Sequence, residues 1–247
     1  TPCPMSCSYE SMAKAKFPVK SPMIGFNCAI PILILLPWFE KMSYKLFSMQ
    51  KFDQKANMKD GSSFILGSGS PRRRELLREV VPEFSVIVSS VKEIETHVDG
   101  SLALVQENAR LKAVSVAVDY PNSWVLGADT VVCLDGNILG KPKDLEDAFS
   151  MLNMLSGQKH EVSTGLCLVH LEKDYEELKV DTSLVQFKTI NKVIISEYFK
   201  SVNPLDKAGG YAIQTRADLI VESFEGSLSN VIGLPIELIS RWLKNLF

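Results

Sequence analysis

The most constraining stretch of this chain is Phe64 to Leu77, FILGSGSPRRRELL. Phe64–Leu66 read as a short buried strand. Gly67-Ser68-Gly69-Ser70 then break it with residues suited to a tight turn. Pro71 suits the first helical position, where its missing N–H costs nothing, and Ser70 is placed to cap that helix. A strand that ends in small residues and feeds a helix is a unit of α/β architecture. Its backbone N–H groups and the positive helix end face outward, where a phosphate would bind. Arg72, Arg73 and Arg74 add guanidinium groups suited to phosphate oxygens. Taken alone, the plainer reading is a solvated basic first turn. The segment is not a Walker A loop, because no Gly-Lys-Ser/Thr follows at the required spacing. It also lacks the third glycine of a dinucleotide fingerprint, which counts against a Rossmann-type cofactor enzyme.

Beyond this junction the alternation continues. Phe84–Ser89 reads as a second strand, and Leu102–Val118 has apolar residues at helical spacing. Trp124–Cys133 is a buried-strand run, turned by Asp135-Gly136 into Ile138-Leu139. Asp144 is placed to cap a helix through Leu155, closed by Ser156-Gly157. Val162–His170 and Leu178–Lys188 read as a long strand pair, Ile194–Val202 as a helix and Leu219–Phe224 as a strand. Pro235 opens a last amphipathic helix with Ile236, Ile239, Trp242, Leu243 and Leu246 on one face. The pattern predicts an α/β fold with a mixed, elongated sheet and a cleft.

The first sixty residues differ. Pro2, Pro4, Pro18, Pro22, Pro31 and Pro37 interrupt every short pattern. The apolar run Met23–Phe39 is about 17 residues long and cut by two prolines, which disfavours a spanning helix. Residues 1–60 are therefore expected to be a poorly ordered leader, with a membrane anchor or targeting role, or non-native sequence upstream of the true start, as alternatives. Residues 61–247 are expected to form the functional domain. The formal net charge of −2 gives no global reason for nucleic-acid binding. Five scattered cysteines have neither metal-ligand spacing nor a disulfide framework, which favours a reducing compartment, and a cytoplasmic location is expected; the short, proline-cut apolar run leaves no membrane association expected.

Three further segments carry candidate chemistry. In LGADTVV, Leu126 to Val132, Asp129 interrupts a buried strand. Its carboxylate needs a cation or hydrogen-bond donors to offset desolvation, and a purely structural ion pair would serve equally. Lys141 follows the hairpin and is placed to return to the same end of the sheet. In DKAGGYAIQ, Asp206 to Gln214, the Gln214 amide offers both a donor and an acceptor, as reading a base edge requires. NVIGLPIE, Asn230 to Glu237, reads as a loop into the last helix.

In order and wording these segments closely resemble the Maf family of nucleoside triphosphate pyrophosphatases, over about Ser62 to Phe247. The matching strings are SGSPRRRELL, LGADTVV with DGNILGKP, AFSMLNMLSGQKHEVSTG, DKAGGYAIQ and NVIGLPIE. The resemblance implies an inosine triphosphatase-like α/β fold with a mixed sheet flanked by helices and a deep cleft. It implies hydrolysis of a nucleoside triphosphate between its α- and β-phosphates with a divalent cation, Mg²⁺ or Mn²⁺. Carried across, Asp129 matches the proton acceptor. Arg72, Thr130 and Gln214 match positions of substrate choice, and Ser68, Arg73, Lys112 and Lys141 match polar positions lining the cleft. Glu93 falls where the family places an acidic residue near the metal, and the metal would lie between Glu93 and Asp129. VKEIE departs from the usual acidic run there. Gly67 replaces the commoner Ala, and Thr215 stands where Gly usually follows the Gln. His160 is read as structural.

The family's 7-methyl-GTP branch carries Trp after the Ser-Pro, His-Cys before the Ala-Gly and Glu at the Gln214 position. Arg72, Asp206-Lys207 and Gln214 place this chain with the branch acting on dTTP and UTP, with modified pyrimidine nucleotides as added substrates. The resemblance also implies a homodimer. The competing readings are the 7-methyl-GTP branch and a non-catalytic nucleotide-binding regulator.

Overall fold

The computed structural model describes residues 61–247; the expectations for the leader lie outside the described residues. In chain order the elements are β1 (Ser63–Leu66), α1 (Pro71–Arg78), β2 (Ser85–Val86), α2 (Ser101–Ala117), β3 (Ser123–Leu134), β4 (Asn137–Leu139) and α3 (Leu145–Leu155). They continue with β5 (Lys159–His170), β6 (Tyr175–Phe187), α4 (Lys192–Phe199), α5 (Ala217–Ile220), β7 (Val221–Glu225), α6 (Leu228–Ile232) and α7 (Ile236–Leu246). The strands form one mixed sheet in the order β2-β1-β3-β5-β6-β7, with β4 paired to β3. β1 is parallel to β2 and β3, and the other pairings are antiparallel. This is the expected mixed sheet flanked by helices. Among the described residues no helix is long and apolar enough to cross a membrane.

Ser70 caps α1 by accepting from the Arg73 N–H, and Pro71 opens that helix. Asp144 caps α3 through the Asp147 N–H. Three expectations need correction. The second strand pairs only over Ser85–Val86, because the bond from Ile87 N–H to Leu66 O is the last that β1 offers before it turns away. Leu219 and Ile220 belong to the helical turn α5, not to a strand, and the Leu219 N–H closes that turn on Arg216 O. Asn230–Ile232 belong to the short helix α6, which Ser227 caps by accepting from the Asn230 N–H, not to a loop.

The two faces of β3 divide the core. Val125 packs with Ala109, Ala113 and Val116 of α2, and Val131 packs with Leu104 and Val105 of the same helix. Leu126 and Ala128 point the other way, into a cluster with Leu77 of α1 and Ile236, Ile239, Trp242 and Leu243 of α7. Helix α2 lies very close to the sheet. A Cβ on Gly127 would stand 2.1 Å from Ala109 O, and one on Gly165 2.3 Å from Val105 O. Only glycine permits that approach. Gly165 pairs directly with Asp129 across β3 and β5, so the helix passes over the carboxylate.

Candidate active site

The site follows from a mismatch of strand lengths. β3 has 12 residues and β1 has 4, so β1 leaves β3 at Leu126. β4 rejoins the same edge only at Val132. Among the described residues, Gly127–Val131 have β5 on one side and no strand on the other. Buried backbone carbonyls must still find donors. The Ala128 carbonyl takes one from Arg73 Nη1 at 2.9 Å and one from Lys112 Nζ at 3.3 Å. The gap in the sheet is thus edged by cationic side chains, and a cleft of about 860 Å³ opens along it.

On the α2 side of the gap, Asp129 is 7% exposed. Lys112 Nζ donates to Asp129 Oδ1 at 2.7 Å and to Glu93 Oε1 at 2.8 Å. Asn108 Nδ2 donates to Asp129 Oδ2 at 3.1 Å. Each oxygen of the buried carboxylate therefore has a donor, as desolvation requires. Burial pushes the Glu93 carboxyl up. The hydrogen bond and charge of Lys112, with the charges of Lys141 and Arg73, outweigh it and hold Glu93 below its ordinary value.

On the opposite face, Thr130 accepts from Arg73 Nη2 at 2.9 Å and meets Thr164 at 2.9 Å. Arg73 also donates from Nε to Gly233 O at 2.9 Å and from Nη1 to the Ser68 hydroxyl at 3.2 Å. Its guanidinium ties four segments together. Burial pulls its pKa down, while the charges of Asp129 and Glu93 act against that. A second, smaller hollow of about 80 Å³ lies beside this face and holds Arg72, Asp206, Tyr211 and Gln214. The two hollows share Arg73, Thr130 and Lys141. Arg72 is paired with Asp206 at 3.0 Å.

All nine residues singled out in the sequence line these two hollows. Ser68, Arg73, Glu93, Lys112, Asp129, Thr130 and Lys141 line the larger, and Arg72 and Gln214 the smaller. His160 is buried away from both, donating to or accepting from Tyr211 at 2.8 Å and stacked edge-on against Phe187. Sequence reasoning missed Asn108. The available signal was a polar residue on the apolar face of α2, in line with Leu104 and Lys112.

A mid-strand Asp at an open sheet edge, held between a lysine and an amide, arginines at a Ser-capped helix, and an adjoining hollow with a glutamine make up a site for a phosphorylated ligand with a recognised head group. The comparisons agree with that class. The model of the family described as Maf-like protein matches residues 63–246, and the chain belongs to this family. It is 45% identical over 172 residues to a dTTP/UTP pyrophosphatase of Symbiobacterium thermophilum, covering 70% of this chain and 88% of that protein. It is 40% identical over 182 residues to the Acholeplasma laidlawii dTTP/UTP pyrophosphatase, covering 73% and 95%. It is 41% identical over 185 residues to that of Clostridioides difficile, covering 75% and 95%. A solved structure of the Staphylococcus aureus Ham1 protein shows a slight likeness, with a TM-score of 0.45 and 15% identity over 75% of this chain and all of that one.

Proposed function

We propose that this chain is a nucleoside triphosphate pyrophosphatase acting on dTTP and UTP, with modified pyrimidine nucleotides as further substrates. The supporting observation is the floor of the larger cleft, where buried Asp129 is held between Lys112 and Asn108 and faces Glu93. In this reading Asp129 takes a proton from a water in line with the α-phosphorus. The bond from that phosphorus to the bridging oxygen breaks as the water oxygen attaches, and pyrophosphate leaves with the electron pair. Lys112, Lys141 and Arg73 offset the triphosphate charge, and the Ser68 turn seats a phosphate. Arg72, Thr130 and Gln214 face the base from the smaller hollow. A base-reading amide that pairs both donor and acceptor rejects bases that leave it unpaired.

The donor set fits a divalent cation. Glu93 and Asp129 converge on one ammonium, their oxygens are hard, and Mg²⁺ or Mn²⁺ binds through one or two carboxylates with phosphates and water filling the rest. Among the described residues no group of three or more His, Cys, Asp or Glu side chains forms a closed metal site. When bound, the cation would supply charge neutralisation on the phosphates.

A homodimer in the cytoplasm completes the proposal. The buried thiols of Cys133 and Cys167 are unpaired, which suits a reducing compartment. The decisive experiment is pyrophosphate release from dTTP, UTP and 7-methyl-GTP with Mg²⁺ or Mn²⁺, using Asp129→Ala as control. Faster turnover of 7-methyl-GTP would move the chain to the other branch. Nucleotide binding without release would make it a regulator. Sedimentation at micromolar concentration tests the dimer.

A further inference from the structure

Position 108 lies four residues after Leu104 and four before Lys112, on the face of α2 turned to the sheet. An apolar side chain would suit that face. Asn is a weaker helix former than Leu or Ala, and its burial is costly unless every polar atom is paired. Asn108 is 3% exposed, and both ends of its amide are engaged. Its Oδ1 accepts from the Ile94 N–H at 2.8 Å, and its Nδ2 donates to Ile94 O at 2.9 Å and to Asp129 Oδ2 at 3.1 Å. The amide orientation is fixed by these partners. Turned over, it would set an oxygen against the Asp129 carboxylate and an NH₂ against the Ile94 N–H.

Two consequences follow. The segment carrying Glu93 has its next residue clamped at both backbone atoms, which holds the Glu93 carboxylate at Lys112. Asp129, with Oδ1 on Lys112 and Oδ2 on Asn108, is held at both oxygens and cannot rotate without losing a bond. One side chain thus registers both acidic groups of the cleft against each other.

We infer that Asn108 is a positioning residue for hydrolysis, setting the Glu93 segment and the Asp129 carboxylate through one amide. This rests on the catalytic reading of Asp129 given above. Mutating partners that orient a reacting or ligating group typically lowers activity ~10–100-fold.

The test uses Asn108→Leu, which keeps the branched shape and removes all three bonds, and Asn108→Asp, which keeps an acceptor for the Ile94 N–H but turns an oxygen toward Asp129. Measured are kcat and KM on dTTP, thermal midpoint, and hydrogen exchange at the Ile94 amide. Asn108→Leu is expected to lose kcat ~10–100-fold, with KM changed less than about threefold, and to expose the Ile94 amide. Asn108→Asp is expected to lose kcat at least as far while the Ile94 amide stays protected. Wild-type kcat in either folded variant would overturn the inference, as would a loss carried by KM alone. If Asn108→Leu does not fold, the isosteric Asp variant decides. If the wild-type chain releases no pyrophosphate from dTTP or UTP, the catalytic reading fails. The clamp is then judged by exchange, and unchanged protection of Ile94 in Asn108→Leu would overturn it.

Discussion

Replacing Gly127 by alanine tests whether the close seat of α2 builds the site. The new methyl carbon would stand 2.1 Å from Ala109 O, 2.7 Å from Ala113 N and 2.9 Å from Ala113 Cβ. Ordinary contact begins near 3.4 Å, so the helix must retreat by about 1.3 Å. Two of these atoms are backbone and the third is a Cβ fixed to it, so none can swing aside as the end of a long side chain could. Overpacking of this kind costs ~1–3 kcal/mol, or about 2–12 °C of thermal midpoint in a domain of this size. The effect on chemistry is separate. Lys112 is long enough to follow Asp129, but Asn108 is short, and its 3.1 Å bond to Asp129 would stretch beyond hydrogen-bonding range. Misplacement by ~1 Å can cost about 100-fold in rate. Differential scanning calorimetry and kcat on dTTP read the two effects in one preparation. A variant with an unchanged midpoint and wild-type kcat would refute the argument that the glycine sets the geometry of Asp129.

Arg73→Lys should lower stability by roughly 2–3 kcal/mol and kcat/KM together, since one ammonium cannot reach Gly233 O, Ala128 O, Ser68 and Thr130 at once; urea unfolding and steady-state kinetics check it. Tyr198→Phe should raise KM for dTTP more than it lowers kcat, because the buried hydroxyl donates to Ala212 O at 3.0 Å and accepts from Ala212 N at 2.9 Å, two residues before Gln214. A loss confined to kcat would count against that reading. Burial lowers the His160 pKa to about 4, so the folded state holds this ring neutral while the unfolded chain protonates near 6.5. The stability from His160 is present above about 6.5 and lost as pH falls toward about 4, at no more than ~1.4 kcal/mol per pH unit. His160→Gln should flatten that part of the pH dependence in urea titrations. Finally, a chain beginning at Met58 should keep the thermal midpoint and kcat/KM on dTTP of the full chain, since every described side chain of the two hollows comes from Gly67 onward. A large loss of either would show that the leader belongs to the fold or the site.

What the sequence disclosed was local. Ser70 and Pro71 mark a helix start by their own conformational preferences, and Asp129 stands out because a buried strand has no ordinary use for a carboxylate. The misreadings lie where tertiary partners overrode local pattern. Leu219 and Ile220 are apolar enough for a strand, but the chain enters them from Arg216 at a φ of 46°, and a helical turn follows. Asn230 opens a segment that reads as a loop into the last helix. Its Nδ2 in fact donates to Val162 O and to the Ser183 hydroxyl, each at 2.9 Å, bridging two strands from beneath. Asn108 does stand out as a polar residue on an apolar helix face, but the sequence carries no mark of its partners Ile94 and Asp129.

The three consecutive arginines show where legibility ends. In sequence they form one basic cluster, and any of them could meet a phosphate. A helix turns about 100° per residue, so neighbours cannot share a direction. Arg72 projects to Asp206 beside the smaller hollow, Arg73 turns inward to the open edge of β3, and Arg74 is exposed. That open edge exists only because β1 stops after 4 residues while β3 runs on for 12. Neither length is decided by the residues of the cluster. Arg73 therefore does two things that its neighbours cannot: it satisfies the carbonyl that a missing strand leaves bare, and it places positive charge between the Asp129 face and the Thr130 face. The gap in the sheet and the cation that bridges it form one structural solution, and the division of the cleft into an acidic side and a glutamine side follows from the alternation of Asp129 and Thr130 across that strand.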